Sequence, residues 1–372
     1  MGGDICCACT SHVCKCCICF ICQHLSKSAS DVLIVTITRK LNRVRNSYYV
    51  YLPLEWCERS GLTGTESPEV RITETAGGAL EILPPEMEKP ATAPIRFAMD
   101  ESGSSSIQSL LVGAYIVGVN SFEVEFAEPI DMAAREETSQ LVRRLPGFEV
   151  LEEDEKRLLI GDTSEKQVIS PILKRQFSTT KYMLTGLIKA MKTGDLDDAK
   201  RIVARDEDVD RHRYFVERLC HLALQDPTYA RKIEISSSDA LHFSLAAKYI
   251  ERIADHVCGA TAELLKLRSA GPKVLKLAEE LSDVYDNSSR VFFGVETQQR
   301  NHSFDARVES ADALRSLANA EDLAHRLAAL ESSVENTPSS QKAVFVYHLV
   351  RIASYCADIG EVAINRTIGA HL

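Results

Sequence analysis

The 372 residues are 45% hydrophobic and 26% charged, the balance of a soluble globular chain, and the length suggests two or three domains. A net charge of −10 with a pI near 5.6 excludes a chain that binds nucleic acid as an overall polycation, so any DNA contact needs a local basic patch. No apolar run reaches the roughly eighteen residues that a spanning helix needs, so no stable membrane insertion is expected.

Cysteine usage divides the chain. Eight of the twelve cysteines lie between Cys6 and Cys22, interleaved with Ile, Val and Phe. Residues 1–28 read as a disordered Cys-rich extension, translated from an upstream start. Thiolate ligation of zinc or an iron–sulfur cluster, and multiple acylation, stay open as alternatives. Asp4 and the lack of a small-residue cleavage site argue against a secretory signal. Cys220, Cys258 and Cys356 sit among apolar helical positions and read as core thiols of a reducing, cytoplasmic compartment.

Residues 31–85 read as a compact β unit. Strands are expected at 32–37, 47–54, 70–73 and 80–83, with a short helix from Glu55 to Ser60 closed by Gly61. Ala76-Gly77-Gly78 marks the turn between the last two strands. Between the first two strands runs a basic segment holding Arg39, Lys40, Arg43 and Arg45. Four cations within seven residues can neutralise several phosphates, and guanidinium forks can read guanine edges. The basic strand, Leu52-Pro53-Leu54-Glu55-Trp56 and Gly61-Leu62-Thr63-Gly64 resemble the AbrB/SpoVT family. That resemblance implies a dimeric swapped-hairpin β-barrel that presents the four basic residues to DNA. The acidic loop Thr65-Glu66-Ser67-Pro68-Glu69 is longer than the family pattern.

Residues 86–106 read as a Pro- and Ser-rich linker. Residues 107–168 read as a small α/β module: a helix from Ile107 to Tyr115, a strand at SFEVEF, a helix over 131–145 capped by Asp131, and a closing hairpin. No catalytic constellation stands out there, and the module reads as a packing or dimer-contact element.

Residues 171–372 carry helical periodicity throughout. Helices are expected at 171–193, 195–226, 236–268, 272–300, 303–333 and 338–368, punctuated by Gly194, Pro227, Gly271-Pro272 and Pro338. The helix KYIERIADHVCGATAE places Glu251 and Asp255 one turn apart beside an apolar face. Such a pair repels when ionised, and an oxygen-ligated hard cation relieves the cost. A solvated acidic face partnered by Arg252 is the plainer alternative. Arg351-Ile352-Ala353 repeats Arg252-Ile253-Ala254 at an offset of 99 residues, and the same offset sets Asp206 and Asp210 against Asp305 and Glu309. One shift that aligns two segments marks an internal duplication. The repeats span 171–270 and 271–372.

A duplicated pair of helices, one of form DEDVD and one of form ERIAD, resembles the PhoU family. The resemblance implies a C-terminal all-α pair of three-helix bundles that binds metal and regulates phosphate uptake. With the N-terminal unit it suggests an archaeal-type AbrB–PhoU fusion, which Leu145-Pro146-Gly147-Phe148-Glu149-Val150-Leu151-Glu152 fits in outline. Asp206, Asp210, Glu251 and Asp255 are the expected ligands of iron, manganese, zinc or magnesium. Asp305 and Glu309 are a weaker second set, because Val350 and Ser354 replace the acids of the ERIAD helix. No nucleophile elbow, P-loop, HExxH or Gly-rich phosphate motif is present, so an enzyme is not expected. Two readings follow: a dimeric DNA-binding phosphate regulator with a metal-binding sensor, or an adaptor acting on a phosphate ABC transporter ATPase or a sensor kinase, with the barrel only dimerising it.

Overall fold

A computed structural model describes residues 38–64, 66–74, 78–84, 94–99, 104–164, 167–195, 201–267, 269–299, 306–335 and 340–370. The Cys-rich extension, the expected strand at 32–37 and the turn residues Ala76 and Gly77 lie outside them. The chain divides into two units, up to Pro90 and from Ala91.

In the first unit, β1 (Asn42–Val44) and β2 (Ser47–Tyr49) form one antiparallel hairpin, and β3 (Arg71–Glu74) pairs with β4 (Leu80–Leu83) in another. The two pairs are separate sheets, so the described residues of one chain do not close a barrel. The expected strand over 47–54 is shorter than its β-rich composition suggests. Pro53 stands at the N-cap of α1 (Leu54–Arg59), and the backbone turns into that helix.

In the second unit, the segment expected as a linker instead holds β5 (Ile95–Met99), which runs parallel to β6 (Ser121–Phe126) at the edge of a sheet ordered β5-β6-β8-β7. The prolines bound this strand rather than forbid it. Phe97 packs edge-on against Phe122, and Arg96 donates to the buried Glu123 at 3.2 Å. Helices α2 (Ser104–Ile116) and α3 (Met132–Arg143) and the hairpin β7 (Phe148–Glu153) with β8 (Arg157–Asp162) complete the module. Asp131 caps α3 by accepting from the Ala134 amide at 2.7 Å.

Among the described residues, six long helices follow, with a short one between the second and third. The first bundle contains α4 (Ile169–Thr193), α5 (Asp206–Gln225) and α7 (Ser237–Leu267), with α6 (Pro227–Lys232) in the connection. The second contains α8 (Pro272–Gln299), α9 (Ala306–Glu335) and α10 (Ser340–Gly369). Each helix of the second triple lies about a hundred residues beyond its counterpart, as the duplication requires. Within the helix expected from 195, residues 201–203 are helical, a turn interrupts at 204–205, and α5 starts at Asp206. Gly194 ends α4 in the left-handed conformation, φ 70°, which its missing Cβ makes inexpensive.

One apolar core runs from Phe122, Phe148 and Ile160 in the sheet through Leu173, Leu219 and Ile253 into Phe292 and Ile352. Arg218 on α5 ties module to bundle. It is 2% exposed and donates to the carbonyls of Tyr115 and Val119, both at 2.8 Å, and to Asp162 at 2.8 Å. The repeats meet chiefly where α7 packs on α10. There His256 and His348 face each other with Nδ1 atoms 2.9 Å apart, and Tyr249 stacks on Tyr355. One ring must donate and the other accept.

A candidate carboxylate centre

Helices α5 and α7 pack side by side in the first bundle. Asp206 and Asp210 lie four residues apart on α5, and Glu251 and Asp255 four apart on α7, so each pair shares one stripe of its helix. Both Asp carboxyls feel the opposite helix. Burial pushes Asp206 up, and the charges of Asp255 and Glu251 push it further. Burial raises Asp210 to about 6, and Glu251 and Asp206 add to it. The four acids expected from the sequence are therefore one electrostatic cluster.

Arginines surround it. Arg144, at the end of α3, reaches Asp210 at 3.5 Å and Glu207 at 3.4 Å. Arg213 lies 3.6 Å from Glu251 and forks onto Glu217 at 2.9 and 3.1 Å. Arg252 holds Asp255 at 3.0 Å, the partnership the plainer reading expected. Glu251 is 7% exposed; Lys248 donates to its Oε1 at 3.4 Å, and its Oε2 makes no hydrogen bond among the described residues but lies 3.5 Å from Arg252 Nε. The neighbouring Cys258 thiol, pushed up chiefly by burial, bonds Asp206.

The arginines leave the cluster under-neutralised. Asp210 stays raised although Arg213 and Arg144 both pull it down. A buried carboxylate and an oxygen-rich donor set fit a hard or borderline cation. The present side-chain positions are another matter: among the described residues, no three His, Cys, Asp or Glu groups converge to ligand distance. The donors suit a cation in charge and chemistry, and their convergence would require side-chain rotation.

The second repeat differs as its sequence implies. Ser354, the counterpart of Asp255, turns its hydroxyl back onto the Val350 carbonyl at 3.0 Å. Glu309 lies in the first turn of α9, and Asp305 lies outside the described residues. His256, beside Asp255, is drawn into the inter-repeat pair, where burial and then His348 lower it to about 4. His212 faces away from the acids, and burial and then Arg175 lower its pKa.

Comparison with known families places this bundle. Residues 173–260 match the PhoU domain family. The PhoU match runs from α4 through α7 and includes all four clustered acids. Among solved structures, the phosphate transport system regulatory protein PhoU from Streptococcus pneumoniae is similar, with 16% identity over 54% of this chain and 94% of that chain and a TM-score of 0.42. A search of curated proteins gives no match.

Outside the PhoU segment, the four basic residues Arg39, Lys40, Arg43 and Arg45 are all exposed. Arg39 and Lys40 precede β1, Arg43 lies within it, and Arg45 occupies the turn at φ 54°. Arg43 lies 5.9 Å from the Tyr48 ring and donates to the Arg45 carbonyl at 3.2 Å. Arg144 escaped the sequence reading because it comes from another module. Its only signal was a cation at the end of an amphipathic helix.

Proposed function

We propose that this chain is a PhoU-type regulator of phosphate uptake that works as a signalling adaptor. It docks on a phosphate ABC transporter ATPase or a sensor kinase, and its N-terminal unit joins two copies. The PhoU match over the bundle that holds the acid cluster carries this reading. Dimerisation is favoured by the apolar side chains that the hairpins leave uncovered, among them Leu41 at 65%, Tyr49 at 55%, Ile72 at 59% and Leu80 at 69% exposure.

In this reading, Asp206, Asp210, Glu251 and Asp255 would hold a divalent or trivalent cation. Bound there, the cation would add positive charge beside Asp210, whose carboxyl stays raised despite Arg144 and Arg213. Arg144 and Arg213 would then be released from the cluster, a change of charge at the junction of α3 and α5. The test is capture of the full chain on immobilised transporter ATPase and on the sensor kinase. Saturable binding to either supports the adaptor, and binding to neither removes it.

A second reading, a DNA-binding regulator with a metal-binding sensor, rests on the exposed cations Arg39, Lys40, Arg43 and Arg45. Duplex binding that weakens steeply with salt would favour it.

A further inference from the structure

A cavity of about 760 Å³ opens between α4 and α5, within the range of small-molecule sites. Arg175 on α4 and Arg211 on α5 line it. Among the described residues, neither guanidinium makes a hydrogen bond or an ion pair. The other pair of charges in the lining cancels, because Arg205 holds Asp208 at 2.9 Å. Both side chains are exposed, on facing helices of the cavity.

Two further features border the seat. The N-terminus of α4 opens beside the cavity with Val168 at the N-cap, which supplies no side-chain bond to the first amides. Ile172 and Phe215, buried at 9% and 8% exposure, form an apolar wall. Planar guanidinium forks match an oxyanion. The acid cluster lies elsewhere: Asp206 and Asp210 sit on the side of α5 turned to α7, while Asp208, His212 and Phe215 occupy the opposite stripe.

We propose that this cavity is an oxyanion site that seats a phosphate group between Arg175 and Arg211. The group is either free inorganic phosphate or the terminal phosphate of a small molecule such as a nucleoside diphosphate. The argument uses the cavity's chemistry alone and stands whether or not the chain regulates phosphate uptake.

The experiment is calorimetric titration of the full chain with inorganic phosphate and, separately, with ADP. The same titrations are run on Arg175→Ala, Arg211→Ala and, as a control on α9, Arg315→Ala, with folding checked by circular dichroism. Both cavity variants should weaken binding roughly tenfold or more, and the control should leave it unchanged. Phosphate binding as tight as that of ADP assigns the seat to the free ion, and tighter ADP assigns it to a phosphorylated molecule. Failure of both probes at millimolar concentration overturns the proposal. So does binding that both cavity variants leave intact.

Discussion

Arg218 gives the most quantitative test of how the α/β module is held on the first bundle. The proposed change is Arg218→Met, which keeps the buried stem and removes the charge. Four acceptors lose a donor: the Tyr115 and Val119 carbonyls, Asn120 Oδ1 at 3.3 Å and Asp162. The stacking of the guanidinium on Tyr115 and Phe148, about 5 Å from each ring, is lost as well. Breaking a buried ion pair costs about 3–5 kcal/mol, and each orphaned carbonyl about 1–3 more. Asp162 keeps 22% of its side chain in water, which returns part of that cost. A net loss of about 4 kcal/mol is expected locally, since water also reaches the freed carbonyls once the module opens. Amide hydrogen exchange reads it directly. Protection in β6 and β8 should fall roughly a thousandfold, while α9 and α10 keep theirs. A fall of less than about tenfold in β6 and β8 would refute the reasoning.

Other expectations concern single positions. Asp210 has a folded pKa of about 6, above its unfolded value, so its stabilising contribution is present below the unfolded value and lost as pH rises through 6. In metal-free protein, Asp210→Asn should therefore raise stability at pH 8 by about 1–2 kcal/mol after allowance for solvent screening, and give no gain at pH 4. Denaturant midpoints at the two pH values check this, and a destabilised variant at pH 8 would contradict it. Replacing Glu251 and Asp255 together by Ala should sharply lower the metal retained on purification, measured by elemental analysis; an unchanged content would remove them as ligands. Gly259→Ala would drive a methyl group into the His348 ring. It should lower the melting temperature despite alanine's advantage of about 1 kcal/mol in a helix, and a raised temperature would show that His348 moves aside freely. If the first unit binds DNA, Arg43→Ala should lower the salt slope by roughly one, and an unchanged slope takes Arg43 out of the contact set.

The helices of residues 171–372 were legible because each buries one stripe, and because Gly194 and Gly271 punctuate them with left-handed backbone at φ 70° and 87°. Two signals drew attention to the acids before any packing was known: duplication for Asp206 and Asp210, and one-turn spacing for Glu251 and Asp255. Strand β5 was hidden by prolines on its flank, since composition weighs breakers without knowing which edge they guard. Arg144, Arg175 and Arg211 were hidden for another reason. Their significance comes from facing a helix distant in sequence, and local periodicity carries no such information. The second-repeat loss was visible in Val350 and Ser354, and the inward-turned Ser354 hydroxyl is its structural counterpart.

The central claim is that the chain acts through protein partners of phosphate transport. The most direct measurement titrates the full chain against the transporter ATPase, the sensor kinase and duplex DNA in parallel, across a range of salt. The account predicts saturable binding to the ATPase or the kinase that persists as salt rises. Binding to DNA alone, falling steeply with salt, would contradict it.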